Sequence, residues 1–96
     1  MTEREIEKRI VELTKEAGGI AYKFVSPGNT GVPDRIVILP GQRPVFVEVK
    51  AQAGRLTAVQ RRQIERLEKL DQPVMVIQGE KDLAVFEKQM RSAEGR

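Results

Sequence analysis

The chain has 96 residues, 40% of them hydrophobic, and its 17 basic and 14 acidic side chains give a net charge of +3 that favours polyanionic partners only weakly. This length predicts one domain, and the lack of a long apolar segment or an apolar amino-terminal block predicts a cytoplasmic protein without a membrane span. Because Cys and His are absent, disulfides, thiolate zinc sites and imidazole ligands are excluded, and catalysis must use carboxylates, Lys, hydroxyls or a metal held by oxygen.

The amino-terminal segment predicts a helix, a strand and a loop. A capping box begins at Thr2, and apolar residues then recur at helical intervals, namely Ile6, Ile10, Leu13 and Ala17. Two adjacent glycines end this helix, which we place at about residues 3 to 17. Ile20 to Val25 is short and β-prone, which predicts a strand, and the glycine- and proline-rich residues 26 to 33 predict a loop.

Two β-branched segments follow, Asp34 to Leu39 and Val45 to Lys50, separated by the turn residues Pro40 to Pro44. This pattern is typical of a β-hairpin with a slightly long turn. Apolar residues occur at both odd and even positions of the two strands, which indicates that both faces are covered, as in a sheet flanked by helices. We therefore expect the hairpin to form the centre of the sheet.

The second half of the chain predicts a helix, a strand and a last helix. A capping box at Thr57 opens the first of these, and before Pro73 the apolar residues again have helical spacing, at Val59, Ile64, Leu67 and Leu70. Val74 to Ile77 is predicted to be a fourth strand, and Asp82 to Met90 has the composition of a short helix. Residues 91 to 96 are expected to be a frayed tail.

The predicted order of elements is therefore αβββαβα, in one domain over residues 1 to 96 with its core at about residues 3 to 90. This order is typical of an α/β fold, and it predicts a mixed four-stranded sheet flanked by helices. The sequence contains no internal repeat, linker or low-complexity segment that would divide the chain.

Three charged residues stand where the strand pattern calls for apolar side chains, namely Asp34, Glu48 and Lys50. Glu48 and Lys50 lie two residues apart on one strand, so they point to one face with their Cα atoms about 7 Å apart. The neighbouring strand can bring Asp34 beside Glu48, although the sequence leaves the register open. Two converging carboxylates favour a divalent cation, and ligation by oxygen suits Mg²⁺. The alternative is a solvated Glu–Lys pair with an aspartate that caps a turn.

Two helical residues are further candidates. Glu7 lies at the edge of the apolar stripe of the first helix, where it could join the carboxylates or only pair with a Lys or Arg. Gln60 lies on the apolar side of the second helix, where its amide could contact a phosphate or an attacking water. Gln60 could equally do no more than complete the capping box of Thr57.

Gly31-Val32-Pro33-Asp34 and Glu48-Val49-Lys50, separated by thirteen residues, resemble the signature of PD-(D/E)xK nucleases. Together with Glu7, Gln60 and the segment Lys23 to Gly28, they resemble the virus-type replication-repair nuclease (VRR-NUC) domain. The resemblance implies a restriction-endonuclease-like core and a metal-dependent DNA endonuclease. Standalone members of this family, associated with phages and bacteria, further imply a homodimer that cuts branched DNA such as four-way (Holliday) junctions.

The resemblance also implies roles for individual residues. The metal ligands, for Mg²⁺ or for Mn²⁺ in its place, would be Glu7, Asp34, Glu48 and the main-chain carbonyl of Val49. The catalytic residues would be Asp34, Glu48, Lys50 and Gln60. Lys50 would act on the attacking water or on the phosphate, and Gln60 would assist nearby.

Polar and cationic side chains near these motifs are the expected DNA contacts, because they can bind phosphates without reading base sequence. They are Lys23, Ser26, Arg35, Arg43, Arg55, Arg61 and Arg62. One alternative to a nuclease is a DNA-binding or assembly module that keeps the fold but has lost catalysis, and the presence of Asp34, Glu48 and Lys50 argues against it. A purely structural domain would require every inward charge to be coincidental.

Overall fold

A computed structural model describes residues 1–94, and it confirms the predicted order αβββαβα and the mixed four-stranded sheet. The elements are α1 (Glu3–Glu16), β1 (Ile20–Lys23), β2 (Arg35–Ile38), β3 (Val45–Lys50), α2 (Ala58–Lys69), β4 (Val74–Gln78) and α3 (Gly79–Glu94). None of the helices in this part of the chain is sufficiently long and apolar to cross a membrane.

Both predicted capping boxes are present. At the start of α1, the Thr2 hydroxyl accepts from the Glu5 N–H (3.1 Å), while the Glu5 carboxylate accepts from the Thr2 N–H (2.8 Å). Thr57 and Gln60 make the same reciprocal pair before α2, at 3.1 and 2.9 Å. Each box satisfies two main-chain donors that the first helical turn leaves without partners, which explains where both helices begin.

β3 has the predicted bounds, and the other three strands differ from the prediction by one or two residues at their ends. β1 stops at Lys23 rather than Val25, although the Phe24 N–H still donates to the Asp34 carbonyl at 2.9 Å. β2 is one residue shorter than predicted at each end, and β4 is one residue longer. The loop of residues 26 to 33 takes over where β1 ends, because its glycines and prolines cannot extend the ladder.

The last helix is the largest correction. It begins three residues before and ends four residues after the predicted segment Asp82 to Met90. Residues 91 to 94, which were expected to fray, are helical because Ala93 packs against the core, and Nη1 of Arg91 lies 2.9 Å from a carboxylate oxygen of Glu16 in α1. Residues 95 and 96 of the predicted tail lie outside the described residues.

The sheet has the order β1-β2-β3-β4, in which β1, β2 and β3 are antiparallel neighbours and β4 is parallel to β3. The parallel pair requires a crossover, which α2 provides. Because side chains alternate along a strand, Val47 and Val49 point to one face of β3 while Glu48 and Lys50 point to the other.

The main core lies on the Val47 and Val49 face. Here α1 and α3 pack against each other and against the sheet, and their most buried side chains include Ile10, Leu13 and Phe86. Ile64 of α2 is also buried but does not belong to that core, which places α2 over the opposite face. The charged residues of β3 therefore lie on the face that α2 covers, where burial gives them an unusual environment.

Candidate active site

Asp34 and Glu48 are brought together by the β2–β3 hairpin. The last pair of the antiparallel ladder is Arg35 opposite Val47, so the next step of the same register sets Asp34 opposite Glu48. The two carboxyl groups are close enough for Asp34 to raise the pKa of Glu48. The register that the sequence left open therefore joins the two acidic residues.

Asp34 is held in place by the main chain of β3. Its Oδ2 accepts from the Val49 N–H at 2.7 Å. In a regular ladder the residue opposite Val49 would be Pro33. A proline has no N–H to donate to the Val49 carbonyl. The N–H and C=O of one residue project to the same side of a strand, so the Val49 carbonyl also faces this position beyond the end of β2.

Glu48 is 1% exposed, and its Oε1 has no hydrogen-bond partner among the described residues. The pKa of the Glu48 carboxyl is raised from 4.5 to about 8, mainly by burial and next by the neighbouring Asp34 carboxylate. Lys50 opposes these effects, and Glu3 adds to them. A buried acceptor without a partner is costly, so this oxygen is suited to hold a proton or a cation.

Lys50 completes the centre. Its Nζ lies 3.9 Å from Oε2 of Glu48, and the residue is 8% exposed. At this distance the ammonium group compensates the Glu48 charge without forming a short hydrogen bond. Its three donors therefore stay available for an oxygen of a ligand at the same face.

The structure does not bring Glu7 to this centre. The guanidinium of Arg35 surrounds the Glu7 Oε2, with Nε donating at 2.8 Å and Nη2 at 2.7 Å. Arg35 also donates to the Ala21 carbonyl at 3.2 Å, so it joins α1, β1 and β2. Glu7 thus has the ion-pair role that was the alternative to metal ligation.

Glu3 is the acidic residue of α1 whose charge reaches Glu48. It lies one turn before Glu7 and about 40° from it around the helix, so the apolar stripe alone does not separate the two. Within residues 1–94, no three acidic side chains are gathered closely enough to form a ready metal cluster. The centre as it stands consists of Asp34, Glu48 and the Val49 main chain, with Glu3 as a further carboxylate whose charge reaches it.

Gln60 lies close to the motif, but its side chain is already hydrogen-bonded within the capping box. Its Oε1 accepts from the Thr57 N–H, as the capping alternative predicted, and its own main chain borders Gly31. Gln63, one turn later, donates from Nε2 to the Thr30 carbonyl at 3.2 Å. These contacts fix the loop before Asp34 against the amino-terminal half of α2.

The expected DNA contacts fall into separate groups. Lys23 stands opposite Arg35 in the β1–β2 register, so both point to the face that α1 covers. Ser26 is engaged within the loop, where its hydroxyl accepts from the Asn29 side-chain amide at 2.9 Å. Arg43 lies in the hairpin turn, roughly 16 Å along β3 from Glu48, and donates to the Asp71 carbonyl at 2.6 Å. Arg43 is therefore at the opposite end of the sheet from the carboxylates.

The remaining arginines border the carboxyl end of β3. Arg55 and Arg61 line one hollow there, and Arg62 lies beside Arg61 in the adjoining one. Gln78, the register partner of Lys50, donates to the Gln52 carbonyl at 3.2 Å and so ties down the loop that carries Arg55. The structure thus places these three cations at the end of the sheet where Glu48 and Lys50 lie.

Three comparisons agree with this geometry. The family model described as "VRR-NUC domain" matches residues 2–81. A protein of Acyrthosiphon pisum secondary endosymbiont phage 1, named "Putative nuclease p44", is 49% identical over 75 residues, which cover 78% of this chain and 81% of that protein. A solved structure described as "VRR_NUC domain" superposes with a TM-score of 0.74 and 28% identity, covering 96% of this chain and 94% of its own. The chain therefore belongs to the VRR-NUC family and is a nuclease-type domain.

Proposed function

We propose that this protein is a metal-dependent endonuclease that hydrolyses phosphodiester bonds of DNA. The observation that carries the proposal is Oε1 of Glu48, a buried carboxylate oxygen without a protein partner beside a second carboxylate. Such a pair is unfavourable in a folded core unless a proton or a cation lies between the two groups. Family membership makes a nuclease the activity to which such a site belongs.

The residues fit Mg²⁺, for which Mn²⁺ would substitute. Asp34, Glu48 and the Val49 carbonyl offer oxygen ligands, which are the kind that Mg²⁺ prefers. Glu3 replaces Glu7 as the expected further carboxylate, since the charge of Glu3 reaches Glu48 and Glu7 is paired with Arg35. When bound, the metal would supply an acidified water and charge neutralisation at the phosphate.

The protein groups have separate roles in this proposal. The Val49 N–H holds the Asp34 carboxylate in a fixed orientation, so little reorganisation is needed when DNA arrives. Lys50 donates to a phosphate oxygen, where it stabilises the negative charge that develops as water attacks phosphorus and the leaving P–O bond breaks. Gln60 keeps its capping role and contributes by fixing the loop before Asp34.

Branched DNA such as a four-way junction is the proposed substrate, and a homodimer is the proposed active form. Arg55, Arg61 and Arg62 surround the carboxyl end of β3 and suit phosphates rather than bases. The domain measures 37 × 29 × 20 Å, so one copy offers a single centre to a substrate with several strands. Symmetric cutting of two strands requires two such centres.

The test is cleavage of labelled duplex, flap and four-way-junction DNA in Mg²⁺, Mn²⁺ or EDTA by the wild-type protein and the isosteric variants Asp34→Asn and Glu48→Gln. We expect metal-dependent cutting that falls by at least about 100-fold in both variants, since even outer partners of metal ligands contribute 10- to 100-fold. Glu68→Gln is the matched control, because Glu68 is an exposed carboxylate of α2 and should cut like the wild type.

The same assay decides between the nuclease and a DNA-binding module without catalysis. Wild-type protein that binds these DNAs but cuts none of them in either metal would support the module and overturn the proposal. Cutting that persists in EDTA, or in Asp34→Asn, would place the reaction on other residues.

A further inference from the structure

A groove of about 770 Å³ runs between α1 and the β1 edge of the sheet. Lys23 and Arg35 form its strand side, while one stripe of α1 forms the other. The residues that α1 contributes are Arg4, Glu7, Lys8, Val11, Glu12 and Lys15. The cations of this stripe recur at intervals of four and seven residues, so they share one side of the helix.

Most of these cations are not neutralised within the fold. Arg35 is occupied by Glu7, and Glu12 pairs with Arg9, which does not line the groove. The other basic side chains make no ion pair within residues 1–94, and they are Arg4, Lys8, Lys15 and Lys23. The groove therefore has four cations available and both of its carboxylates already engaged.

The groove lies on the α1 face of the sheet, and it begins near the end of the sheet where Asp34 and Glu48 lie on the other face. Arg4 is next to Glu3, whose charge reaches Glu48, and Arg35 directly follows Asp34. Lys15 lies in the last turn of α1, eleven residues beyond Arg4, so the cations span about 16 Å along the helix axis. This track leads away from the carboxylates toward the hairpin end of the sheet.

We propose that this groove binds the phosphate backbone of one DNA strand as it leaves the cleavage site. The inference rests on the proposed function for its ligand, but it assigns a surface that the catalytic motif does not include. One strand of a duplex carries a phosphate for every 3.4 Å or so of helix axis, so a row of about 16 Å offers several phosphates to these cations. The aliphatic stems of the lysines and Val11 form the rest of the walls, and they hold a backbone without reading bases.

The test is the salt dependence of DNA binding. Full-length wild type, the triple variant Arg4→Gln/Lys8→Gln/Lys15→Gln and the control Arg66→Gln/Lys69→Gln/Lys88→Gln would be titrated against a labelled four-way junction and a duplex in EDTA. Each phosphate contact contributes about −0.9 to the slope of log K against log salt for duplex DNA, so the groove variant should lose about 2.7. The control makes the same charge change on exposed surfaces of α2 and α3 outside the groove and should keep the wild-type slope.

The triple variant could fail to fold, so the single variants Lys8→Gln and Lys15→Gln are measured as well, and circular dichroism verifies that each is folded. Each single variant should lose about 0.9 from the slope. Slopes that stay at the wild-type value, or that fall equally in the control, would overturn the groove proposal. Because binding is measured in EDTA, this result is separate from cleavage. A wild type that binds with the predicted slopes but never cuts would remove the nuclease proposal and leave the groove standing.

Discussion

At the scale of single residues, the properties of the centre depend on two carboxyl groups that cannot both be ionised without a large free-energy cost. Glu48 is almost fully buried, and a carboxylate oxygen of its neighbour Asp34 accepts a hydrogen bond from the Val49 N–H. In the protein without metal, the raised pKa of Glu48 means that this residue holds a proton at neutral pH. A cation that binds here must displace that proton, so metal affinity should rise with pH.

The stability of the metal-free protein should fall as pH rises, because the Glu48 carboxyl binds its proton more tightly in the folded state. Its pKa is about 8 when folded and 4.5 ordinarily, so the stabilising contribution is complete below about 4.5 and is lost as pH rises through about 8. Each pKa unit corresponds to about 1.4 kcal/mol, so the loss is on the order of a few kcal/mol. Chemical denaturation in EDTA between about pH 5 and pH 9 measures it.

Glu48→Gln should remove this part of the pH dependence and be more stable than wild type at the alkaline end, whereas Glu68→Gln should follow the wild-type curve. Adding Mg²⁺ at alkaline pH should restore stability in the wild type but not in Glu48→Gln, because ligand binding to the folded state stabilises it. A wild-type curve that is flat across this range would contradict a proton held by Glu48.

The burial of charged residues was predictable from sequence where the strand pattern itself was broken. Glu48 and Lys50 were found because a buried strand does not tolerate charge without a reason, and the structure places both in the predicted position. Glu3 was missed because periodicity defines the side of a helix but not which turn reaches the end of the sheet. The pairing of Glu7 with Arg35 depends on long-range packing of α1 on β2, which no local pattern contains.

At the scale of elements, the loop of residues 26 to 33 is held by close packing on α2. Gly31 has φ +89°, and a Cβ there would meet the Val59 side chain at 2.6 Å and the Gln60 nitrogen at 3.0 Å. Gly28 has a similar φ of +81°, but a Cβ there would meet nothing within 4 Å. The two glycines therefore share a backbone requirement and differ in their surroundings.

This difference predicts separate effects of two alanine substitutions. Gly28→Ala should cost about 1–2 kcal/mol, the usual penalty of a left-handed L-residue. Gly31→Ala should cost about 1–3 kcal/mol more, because loop and helix must move apart, and it should also weaken Mg²⁺ binding, since Asp34 follows three residues later. Urea denaturation and Mg²⁺ titration of both variants check this. Equal losses of stability would show that the loop does not depend on its contact with α2.

Element order was predictable because α1 and α2 begin at capping boxes and each strand is bounded by turn residues. Element ends were less predictable, since they depend on tertiary contacts. The extension of α3 relies on Ala93 packing into the core and on Arg91 reaching Glu16 of another helix. The position of Arg43 likewise follows from its bond to the Asp71 carbonyl at the distal end of the sheet.

At the scale of the whole molecule, the domain presents cations on two sides of the candidate active site. The α1 groove lies on one side, and Arg55, Arg61 and Arg62 lie at the carboxyl end of β3 on the other. DNA held on both sides would cross the end of the sheet where Asp34 and Glu48 meet. Under the proposed function, a domain of 10.8 kDa with one candidate site would cut one strand at a time, so paired cuts would require two copies.

The proposed homodimer makes a quantitative prediction for mixtures of wild type and Asp34→Asn. If paired cuts in a four-way junction require two active centres in one twofold dimer, an equal mixture of co-folded subunits should make paired cuts at about one quarter of the wild-type rate. Independent monomers would give about one half, because activity would then follow the wild-type fraction. Sedimentation of the same samples at micromolar concentration should show about twice the 10.8 kDa monomer mass. A monomer mass with and without the junction, together with a linear dependence on the wild-type fraction, would show that each domain cuts independently.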